Sequence, residues 1–301
     1  MKGRDILRIG VDVGGTTVKV GFVDDYKIVD RLVVETKKET LFDDVLRETK
    51  KYVDSKNYQI EGIGFGLPGH VLGTYIDKLP NVGIENLDIA PIVNKYFPNV
   101  LIKTTNDANR AALGELLADS DKTASGYMIT LGTGVGGGLV IDGKVRDGSH
   151  ANCGEIGHMF IDYVHNYKCT CGLEGCLETV SSATGIVRLA KEYFNSYKTK
   201  LDKNNLTAKA ILDAAKENDE LGLFVLDRVA FYLGKAISII ELAVDVDTFY
   251  IGGGVSNAGD ILINKISEYY NKFAHFAIKN INIKRAKLGN DAGMLGAAYL
   301  I

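Results

Sequence analysis

The sequence has no run of 18 or more apolar residues, so no segment is predicted to cross a membrane as a helix. The segment ahead of Asp12 holds only a short apolar stretch, which is not typical of a secretory signal, and we expect a cytoplasmic protein. The formal net charge is only −3, which gives no indication of a nucleic-acid or membrane-surface partner. The rest is ordinary: 46% apolar and 24% charged residues over 301 positions are typical of a globular protein of one or two domains.

Two common nucleotide motifs are absent or out of context. The P-loop pattern G-x-x-x-x-G-K-[S/T] does not occur, which excludes that class of nucleotide-binding enzyme. Residues 132–137 match the dinucleotide fingerprint G-x-G-x-x-G, but this fingerprint needs a helix that begins at its glycines. Because residues 139–142 are predicted to form a strand, we reject a dinucleotide site.

The spacing of apolar residues indicates an α/β protein. Strands are predicted at residues 6–12, 17–23, 60–65, 100–104, 127–131, 139–142 and 248–251. Helices are predicted at residues 41–53, 108–118 and 292–300, and helical patterns dominate residues 182–243. Residues 9–23 and 129–141 both follow the order strand, glycine cluster, strand. This internal repeat suggests two similar lobes, each of which opens with a glycine-turn hairpin.

Two glycine clusters between predicted strands are candidate phosphate-binding turns. Glycine lets the backbone approach a ligand closely, and successive backbone N–H groups in such turns form concavities that bind anions. The candidate residues are Gly14, Gly15, Thr16 and Thr17 in the first turn and Gly132, Thr133 and Gly134 in the second. Two such turns facing each other would hold a polyphosphate. The alternative is that both are ordinary tight hairpin turns.

Three further features support a nucleotide site. Asp12, at the end of the first strand, could hold the water shell of a divalent cation beside the phosphates. Lys19 could neutralise phosphate charge, although a solvent-facing strand lysine is the alternative. Gly253 and Gly254 follow a predicted strand, and they suit either the close approach of a flat nucleoside or a plain strand–helix turn.

Asn106 and Asp107 lie where a predicted strand ends and a helix begins. Both residue types are favoured at helix N-caps, which is the structural interpretation. In the catalytic interpretation, Asp107 takes the proton of a hydroxyl group as that group attacks the γ-phosphate of a nucleotide. The two interpretations are compatible, because the positive end of the helix keeps the Asp107 carboxylate ionised.

All four cysteines lie between Cys153 and Cys176. A reducing compartment is expected, so metal binding is favoured over disulfides. Cys169, Cys171 and Cys176, together with His158, supply three thiolates and one imidazole, which suit tetrahedral zinc with no position left open. The prediction is therefore a structural zinc site, and the alternative is a set of free cysteines. Cys153 falls outside this spacing and is predicted to be a packed thiol.

Two glutamates flank the predicted metal loop, Glu155 before His158 and Glu178 after Cys176. A loop ordered by zinc would bring both carboxylates into one neighbourhood, where they could accept hydrogen bonds from sugar hydroxyls. The alternative is surface charge, which is the commoner fate of glutamate. With the phosphate turns, these carboxylates favour a small sugar as the acceptor of the phosphoryl group.

These motifs resemble the ROK family of bacterial sugar kinases, which belongs to the actin/hexokinase-like superfamily. The resemblance covers nearly the whole chain and rests on DVGGTTVK (residues 12–19), NDANRAALGE (106–115), GTGVGGG (132–138), GEIGH (154–158), CTCGLEGCLE (169–178), IGGGVSNAG (251–259) and DAGMLGAA (291–298). The family implies an α/β fold of two ribonuclease-H-like lobes, the actin-like ATPase fold, with a cleft that closes on ATP and sugar. The expected lobes are residues 1–118 with 290–301, and residues 119–289.

The resemblance also implies roles for single residues. Asp107 would be the catalytic base. Sugar contacts would come from Gly69, Asn81, Asn106, Asp107, Glu155, His158 and Glu178. ATP and Mg²⁺ would be held by Asp12, Gly14, Gly15, Thr16, Thr17, Lys19, Gly132, Thr133, Gly134, Gly253 and Gly254. Zinc would be held by His158, Cys169, Cys171 and Cys176, with one ring nitrogen of His158 on the metal and the other on the sugar. A homodimer or homotetramer is also implied.

The sequence departs from the family in the loop from Pro68 to Asn81, which is shorter than the usual hairpin and is followed by no tryptophan. The expected substrate is a hexose phosphorylated on its 6-hydroxyl. Glucose is the first choice, and N-acetylmannosamine, N-acetylglucosamine, mannose and fructose are alternatives. The C-x-C-G-x-x-G-C loop resembles glucokinases and N-acetylmannosamine kinases more than fructokinases. A non-catalytic sugar-sensing regulator is disfavoured, because a DNA-binding segment is expected ahead of the first strand in such proteins and only a handful of residues precede it here.

Overall fold

The computed structural model describes residues 6–119 and 124–301. The chain divides into two compact units. The first unit comprises Met1–Ala124, Gly138–Cys153 and Leu288–Ile301, and the second comprises Ser125–Gly137 and Gly154–Lys287. This division assigns residues 138–153, as well as 119–124 and 288–289, to the first unit, whereas the expected lobes placed them in the second.

The described elements are a mixture of strands and helices along the chain. The strands are β1 (Ile6–Val13), β2 (Thr17–Asp24), β3 (Lys27–Glu35), β4 (Gln59–Leu67), β5 (His70–Leu72), β6 (Tyr75–Leu79), β7 (Ile84–Asp88), β8 (Leu101–Asn106), β9 (Gly126–Leu131), β10 (Val135–Ile141), β11 (Lys144–Val145), β12 (Thr248–Gly252) and β13 (Asn282–Arg285). The α-helices are α1 (Leu41–Lys56), α2 (Ala90–Tyr96), α3 (Asp107–Ala118), α4 (Glu178–Ser181), α5 (Ala183–Glu192), α6 (Ala208–Lys216), α7 (Glu220–Val244), α8 (Asp260–Phe273) and α9 (Asn290–Ala298). Short 3₁₀ turns cover Ile156–His158, Gly254–Ala258 and Phe276–Ile278.

Two five-stranded sheets share one strand order. The orders are β3-β2-β1-β4-β8 and β11-β10-β9-β12-β13, so each sheet runs third, second, first, fourth and fifth in chain order. In the first sheet, β2 is antiparallel to β1 and β3, while β4 is parallel to β1 and β8. In the second sheet, β12 is parallel to β9 and β13, and β10 is antiparallel to β11. The repeated strand order confirms the internal repeat predicted from the sequence.

Helices α3 and α9 pack in the first unit at distances that only glycine permits. A Cβ atom added to Gly64 of β4 would lie 1.7 Å from the carbonyl oxygen of Ala297 in α9. A Cβ atom on Gly296 of α9 would lie 1.7 Å from the carbonyl oxygen of Arg110 in α3. Because glycine has no Cβ, the sheet, α9 and α3 approach one another backbone to backbone. Helix α9 therefore helps to fix α3, whose first residue is Asp107.

Helix α7 is the 25-residue centre of the helical part of the second unit. The Asp219 side chain caps its start by accepting the N–H of Gly222 at 3.0 Å. The helix contacts α6 and α8, and it buries side chains such as Leu233 and Ile237 completely. Within the described parts of the chain, no helix combines the length and the apolar character that crossing a membrane requires.

The sequence predicted the central elements better than those at the edges. The strands predicted at residues 6–12, 17–23 and 127–131 match β1, β2 and β9 closely, whereas β10 begins at Val135, earlier than expected. After β12, a 3₁₀ turn occupies Gly254–Ala258, and α8 starts only at Asp260. Strands β3, β5, β6, β7, β11 and β13 were not predicted.

Candidate functional site

The first glycine turn joins β1 to β2, as predicted. The N–H of Gly14 donates to the carbonyl oxygen of Thr17 at 3.0 Å, which closes the turn. Thr36, which directly follows β3, stabilises the turn, because its hydroxyl donates to the Gly14 carbonyl oxygen and its N–H donates to the Thr16 carbonyl oxygen, each at 3.0 Å. Gly15 and Thr16 are exposed, so the tip of the turn is accessible to an anion.

Asp12 lies opposite Lys19 in the antiparallel register of β1 and β2. Its Oδ1 forms an ion pair with Nη1 of Arg110, whose side chain is only 8% exposed. Arg110 also donates to the carbonyl oxygens of Gly66 at 3.3 Å and Asp107 at 3.4 Å. The guanidinium group therefore connects the residue predicted to hold the cation with the backbone of the predicted base. Sequence reasoning missed Arg110; the available signal was its place one helical turn after Asp107.

Asn106 and Asp107 take different positions at the start of α3. Asn106 is the N-cap, and its Oδ1 accepts the N–H of Asn109 at 2.8 Å. Asp107 is the first helical residue, and its Oδ1 accepts the N–H of Ala108 at 2.9 Å. The Asp107 side chain is exposed. The Oδ1 atom of Asn106 thus caps the helix, and the Asp107 carboxylate is accessible to a substrate.

A polar network stabilises the start of α3. Asn109 is fully buried, and its Nδ2 donates to Oδ1 of Asp147 at 2.8 Å. The hydroxyl of Thr105 donates to the same oxygen at 2.7 Å, and the N–H of Leu139 donates to Oδ1 of Asn109 at 3.2 Å. Since buried polar groups are costly unless they are paired, this network fixes the helix start in one position. Asp147 gave no signal in the sequence.

The loop expected to line the sugar belongs to a three-stranded sheet of β5, β6 and β7. The N–H of Gly69 donates to the carbonyl oxygen of Leu67 at 3.0 Å, in a tight link between β4 and β5. Asn81 is exposed, and its carbonyl oxygen lies 3.5 Å from the position a Cβ atom would take on Gly15. Asn81 therefore lies beside the tip of the first glycine turn.

The second glycine turn borders a cavity of about 460 Å³ within the second unit. Gly132, Thr133 and Gly254 line it, and Lys209 and Asp213 provide charged groups. The remaining wall is formed by Leu131, Ala183, Ala208, Leu212, Val255, Asn257 and Ala258. A largely apolar cavity with few polar groups, next to a phosphate-binding turn, suits the base and ribose of a nucleotide. The residues from α5 and α6 were not predicted.

The four predicted metal ligands come together. One ligand atom from each of His158, Cys169, Cys171 and Cys176 lies within 4.8 Å of all the others. Nδ1 of His158 is 3.6 Å from Sγ of Cys169, and Sγ of Cys171 is 3.7 Å from Sγ of Cys176. Tetrahedral zinc, with bonds of about 2.0–2.3 Å, separates its ligand atoms by about 3.5–3.8 Å. The donor set therefore fits zinc.

Backbone hydrogen bonds order the metal loop where regular secondary structure is sparse. The N–H of Cys169 donates to the carbonyl oxygen of Leu173 at 2.8 Å, and the N–H of Gly175 donates to that of Tyr167 at 3.1 Å. Burial raises the pKa of the Cys176 thiol to about 12.

The two glutamates predicted to contact sugar differ in their surroundings. Glu155 is exposed, and its carbonyl oxygen accepts the N–H of His158 at 3.2 Å. Glu178 is half-buried at the start of α4, and its Oε2 accepts the N–H of Val135 in the second glycine turn at 3.1 Å. Its Oε1 lies 3.8 Å from Sγ of Cys169. Glu178 thus contacts both the metal loop and the glycine turn, which the sequence did not predict.

The predicted site residues are divided between the two units. The first unit holds Asp12, Gly14, Gly15, Thr16, Thr17, Lys19, Gly69, Asn81, Asn106 and Asp107. The second unit holds Gly132, Thr133, Gly134, Glu155, His158, Cys169, Cys171, Cys176, Glu178, Gly253 and Gly254. Cys153 lies in the first unit, apart from the metal group, as the spacing predicted.

Two sheets of one strand order, each opened by a glycine-turn hairpin, define the actin-like ATPase fold. The chain belongs to the ROK family, whose sequence profile matches residues 8–301. It is 37% identical to a glucokinase from Halalkalibacterium halodurans, over 97% of this chain and 94% of that relative.

Two solved structures show the same fold. A ROK hexokinase from Thermus thermophilus is 26% identical, with a TM-score of 0.81 over 98% of this chain and 97% of that one. A ROK family glucokinase from Streptomyces griseus, in complex with glucose and AMPPNP, is 28% identical, with a TM-score of 0.74 over 98% of each chain. The family inferred from the sequence motifs and the fold expected from it are both confirmed.

Proposed function

We propose that this chain is an ATP-dependent hexose kinase that transfers the γ-phosphate of ATP to the 6-hydroxyl of glucose. The observation that carries the proposal is the 37% identity to a glucokinase over nearly the whole of both chains. The Streptomyces griseus relative binds glucose and AMPPNP, which supports the same pair of ligands here. Glucose is the first candidate, and N-acetylmannosamine, N-acetylglucosamine, mannose and fructose remain alternatives.

In this proposal Asp107 is the general base, and it takes the proton of the sugar hydroxyl as the hydroxyl oxygen attacks the γ-phosphorus. The exposed carboxylate is already oriented, because one oxygen accepts the N–H of Ala108. Asn106, Gly69 and Asn81 would contact the sugar from the same unit. Phosphoryl transfer proceeds through a loose transition state, so positioning and charge neutralisation must supply most of the rate enhancement.

The nucleotide would bind with its base and ribose in the cavity and with its phosphates on the two glycine turns. Gly253 and Gly254 lie beside the cavity, and Gly132, Thr133 and Gly134 form the adjacent turn. In the first turn, the phosphates would meet Gly14, Gly15, Thr16 and Thr17. Mg²⁺ would enter as the MgATP complex, with Asp12 on its water shell and Lys19 near the phosphates.

The substitution Gly254→Leu is expected to raise the KM for ATP at least tenfold, which is a loss of about 1.4 kcal/mol of binding. A Cβ atom at Gly254 meets no protein atom within 4 Å, so the side chain can enter the cavity without a clash. Steady-state kinetics at saturating sugar measures the effect, and the melting temperature is expected to stay unchanged.

Gly253→Ala, at the preceding glycine, is the contrasting substitution to Gly254→Leu. Gly253 has φ of 81°, and a Cβ atom there would lie 2.4 Å from the carbonyl oxygen of Leu131. This substitution is expected to destabilise the protein, because the backbone itself must shift. If Gly254→Leu left the KM for ATP unchanged, the cavity would not be part of the nucleotide site.

Zinc would be held by His158, Cys169, Cys171 and Cys176. With four protein ligands it would have no open position, so it would order the loop and would not activate water. Nδ1 of His158 faces Cys169, and this leaves Nε2 on the opposite edge of the ring for a sugar hydroxyl. Glu155 would approach the sugar from the neighbouring 3₁₀ turn.

We also propose a cytoplasmic homodimer or homotetramer. Val164 and Leu242 are 70% and 65% exposed, and contiguous exposed apolar side chains are typical of an association surface. Nζ of Lys235 lies 4.2 Å from the ring centroid of Tyr163, and Ile239 and Leu242 follow Lys235 on one face of α7. This apolar surface supports association between copies of the chain.

The proposal is tested by incubating the purified protein with MgATP and a panel of sugars while ADP release is measured. Glucose is expected to give the highest kcat/KM among glucose, mannose, fructose, N-acetylglucosamine and N-acetylmannosamine. Phosphorus NMR of the product locates the phosphate on the 6-oxygen. Sugar binding without turnover on any of these sugars would contradict the kinase and would favour a sugar-sensing regulator.

A further inference from the structure

Glu178 joins the metal loop to the second glycine turn by direct contacts. Its Oε2 accepts the N–H of Val135 at 3.1 Å, and its Oε1 lies 3.8 Å from Sγ of Cys169. A Cβ atom on Gly134 would lie 2.2 Å from Oε2, so the turn runs directly against the carboxylate. Glu178 also follows Cys176 closely in the chain, so a metal held by Cys176 fixes the backbone from which the carboxylate extends.

The segment that begins with Glu178 anchors the same turn at two further points. The N–H of Ala183 donates to the carbonyl oxygen of Gly132 at 2.8 Å. The hydroxyl of Thr184 donates to the carbonyl oxygen of Thr133 at 3.0 Å. These two bonds hold the beginning of the turn, whereas Glu178 holds its end at Val135. Among these three anchors, Glu178 is the one in contact with a predicted metal ligand.

Two opposing effects of the Glu178 carboxylate can be separated physically. A hydrogen bond from a backbone N–H to a charged oxygen is strong, so it holds the turn in the conformation that phosphate needs. The same negative charge repels a phosphate that binds nearby. If positioning dominates, removing the carboxylate weakens nucleotide binding, and if repulsion dominates, removing it strengthens nucleotide binding.

We propose that Glu178 is a positioning residue through which a metal bound at His158, Cys169, Cys171 and Cys176 tightens nucleotide binding at the second glycine turn. The inference rests on the proposed function, since it assumes that this turn binds the phosphates of ATP. The metal fixes the loop, the loop fixes Glu178, and Glu178 fixes the N–H of Val135 and the turn before it. Because such coupling is reciprocal, the nucleotide must tighten metal binding by the same factor.

The test is a thermodynamic cycle on nucleotide binding without sugar. Titration calorimetry with a non-hydrolysable ATP analogue is run on zinc-loaded and on chelator-treated protein. Removing zinc is expected to weaken binding of the analogue about tenfold in the unmodified protein. Zinc-loaded Glu178→Ala is expected to bind the analogue about tenfold more weakly, with no further loss when zinc is removed. In the reciprocal titration, the analogue tightens zinc binding about tenfold in the unmodified protein alone.

Conservative variants separate positioning from charge. Glu178→Gln keeps an acceptor oxygen for Val135 and is expected to bind the analogue within about threefold of the unmodified protein. Glu178→Asp keeps the charge but shortens the side chain, so it is expected to behave like Glu178→Ala. Glu174→Ala removes an exposed carboxylate from the same loop and is expected to change neither affinity.

Three outcomes would overturn the inference. If zinc removal weakens nucleotide binding equally in Glu178→Ala and in the unmodified protein, the coupling passes through Ala183 and Thr184 instead. If both Glu178→Ala and Glu178→Gln bind the analogue more tightly, the carboxylate acts by repulsion. If the zinc-loaded, unmodified protein does not bind the analogue at all, the proposed function fails and this inference fails with it.

Discussion

Asp107→Asn is expected to lower kcat by about 10²–10⁴-fold, which is the usual contribution of general-base catalysis. The amide cannot take the proton of the sugar hydroxyl, but its oxygen can still accept the N–H of Ala108, as Oδ1 of Asp107 does at 2.9 Å. The helix start and the protein fold are therefore expected to be preserved. Steady-state kinetics measures the loss, and calorimetry measures binding of sugar and of the ATP analogue, which are expected to change by less than about threefold.

Asp88→Asn is the matched control for the Asp107 substitution. Asp88 is also an exposed aspartate near the start of a helix in the first unit, and its Oδ1 accepts the N–H of Ala90 at 3.0 Å. Asp88→Asn removes one negative charge near the start of a helix, as Asp107→Asn does, but it changes no predicted site residue. The kcat is therefore expected to stay unchanged. If Asp107→Asn retained most of the kcat, another group would have to be the base.

The central part of the fold could be predicted because its signals are local. Each glycine turn lies between two apolar strands, and this short pattern occurs twice, at residues 9–23 and 129–141. The candidate metal site was equally local, because three of its four predicted ligands are Cys169, Cys171 and Cys176. A local pattern is enough when the residues that act together are close in the chain.

Edge strands gave weaker signals. In β3 (Lys27–Glu35), exposed and half-buried positions alternate and none is fully buried. Such a strand covers little of the core, and its exposed positions hold Val29 and Val33 as well as charged residues, so its sequence shows no regular apolar–polar alternation. The short strands β5 and β11 span too few residues for a period of two to be recognised.

The parts of the candidate site that the sequence did not predict depend on contacts between segments that are distant in the chain. Arg110 is in a helix, where arginine is ordinarily exposed, and its partner Asp12 lies 98 positions earlier in the chain. The cavity wall includes Ala183 and Ala208, small residues that carry no chemical signal. Glu178 was predicted as a sugar contact, but its bond to Val135 depends on how the metal loop packs against the glycine turn. Only the folded chain brings these groups together.

Arg110→Met is expected to lower the free energy of unfolding by about 3–5 kcal/mol, the usual cost of breaking a buried ion pair. Arg110 is almost completely buried, and it pairs with Asp12, which is only 17% exposed. Methionine fills the space of the aliphatic stem but leaves Asp12 without its counter-charge. It also leaves the carbonyl oxygens of Gly66 and Asp107 without the donors at 3.3 Å and 3.4 Å. Urea unfolding of the two proteins measures the difference.

The surface substitution Arg47→Met is the control for Arg110→Met. Arg47 is 46% exposed and pairs with Asp44 and Glu48 on α1, so its loss is expected to change the free energy of unfolding far less than the loss of Arg110 does. The double substitution Asp12→Asn with Arg110→Met removes both charges and is expected to recover part of the lost stability, because no unpaired carboxylate remains. If Arg110→Met cost no more than Arg47→Met, the pair with Asp12 would contribute no more than a surface ion pair. Arg110 would then not be what holds Asp12 and the start of α3 in place.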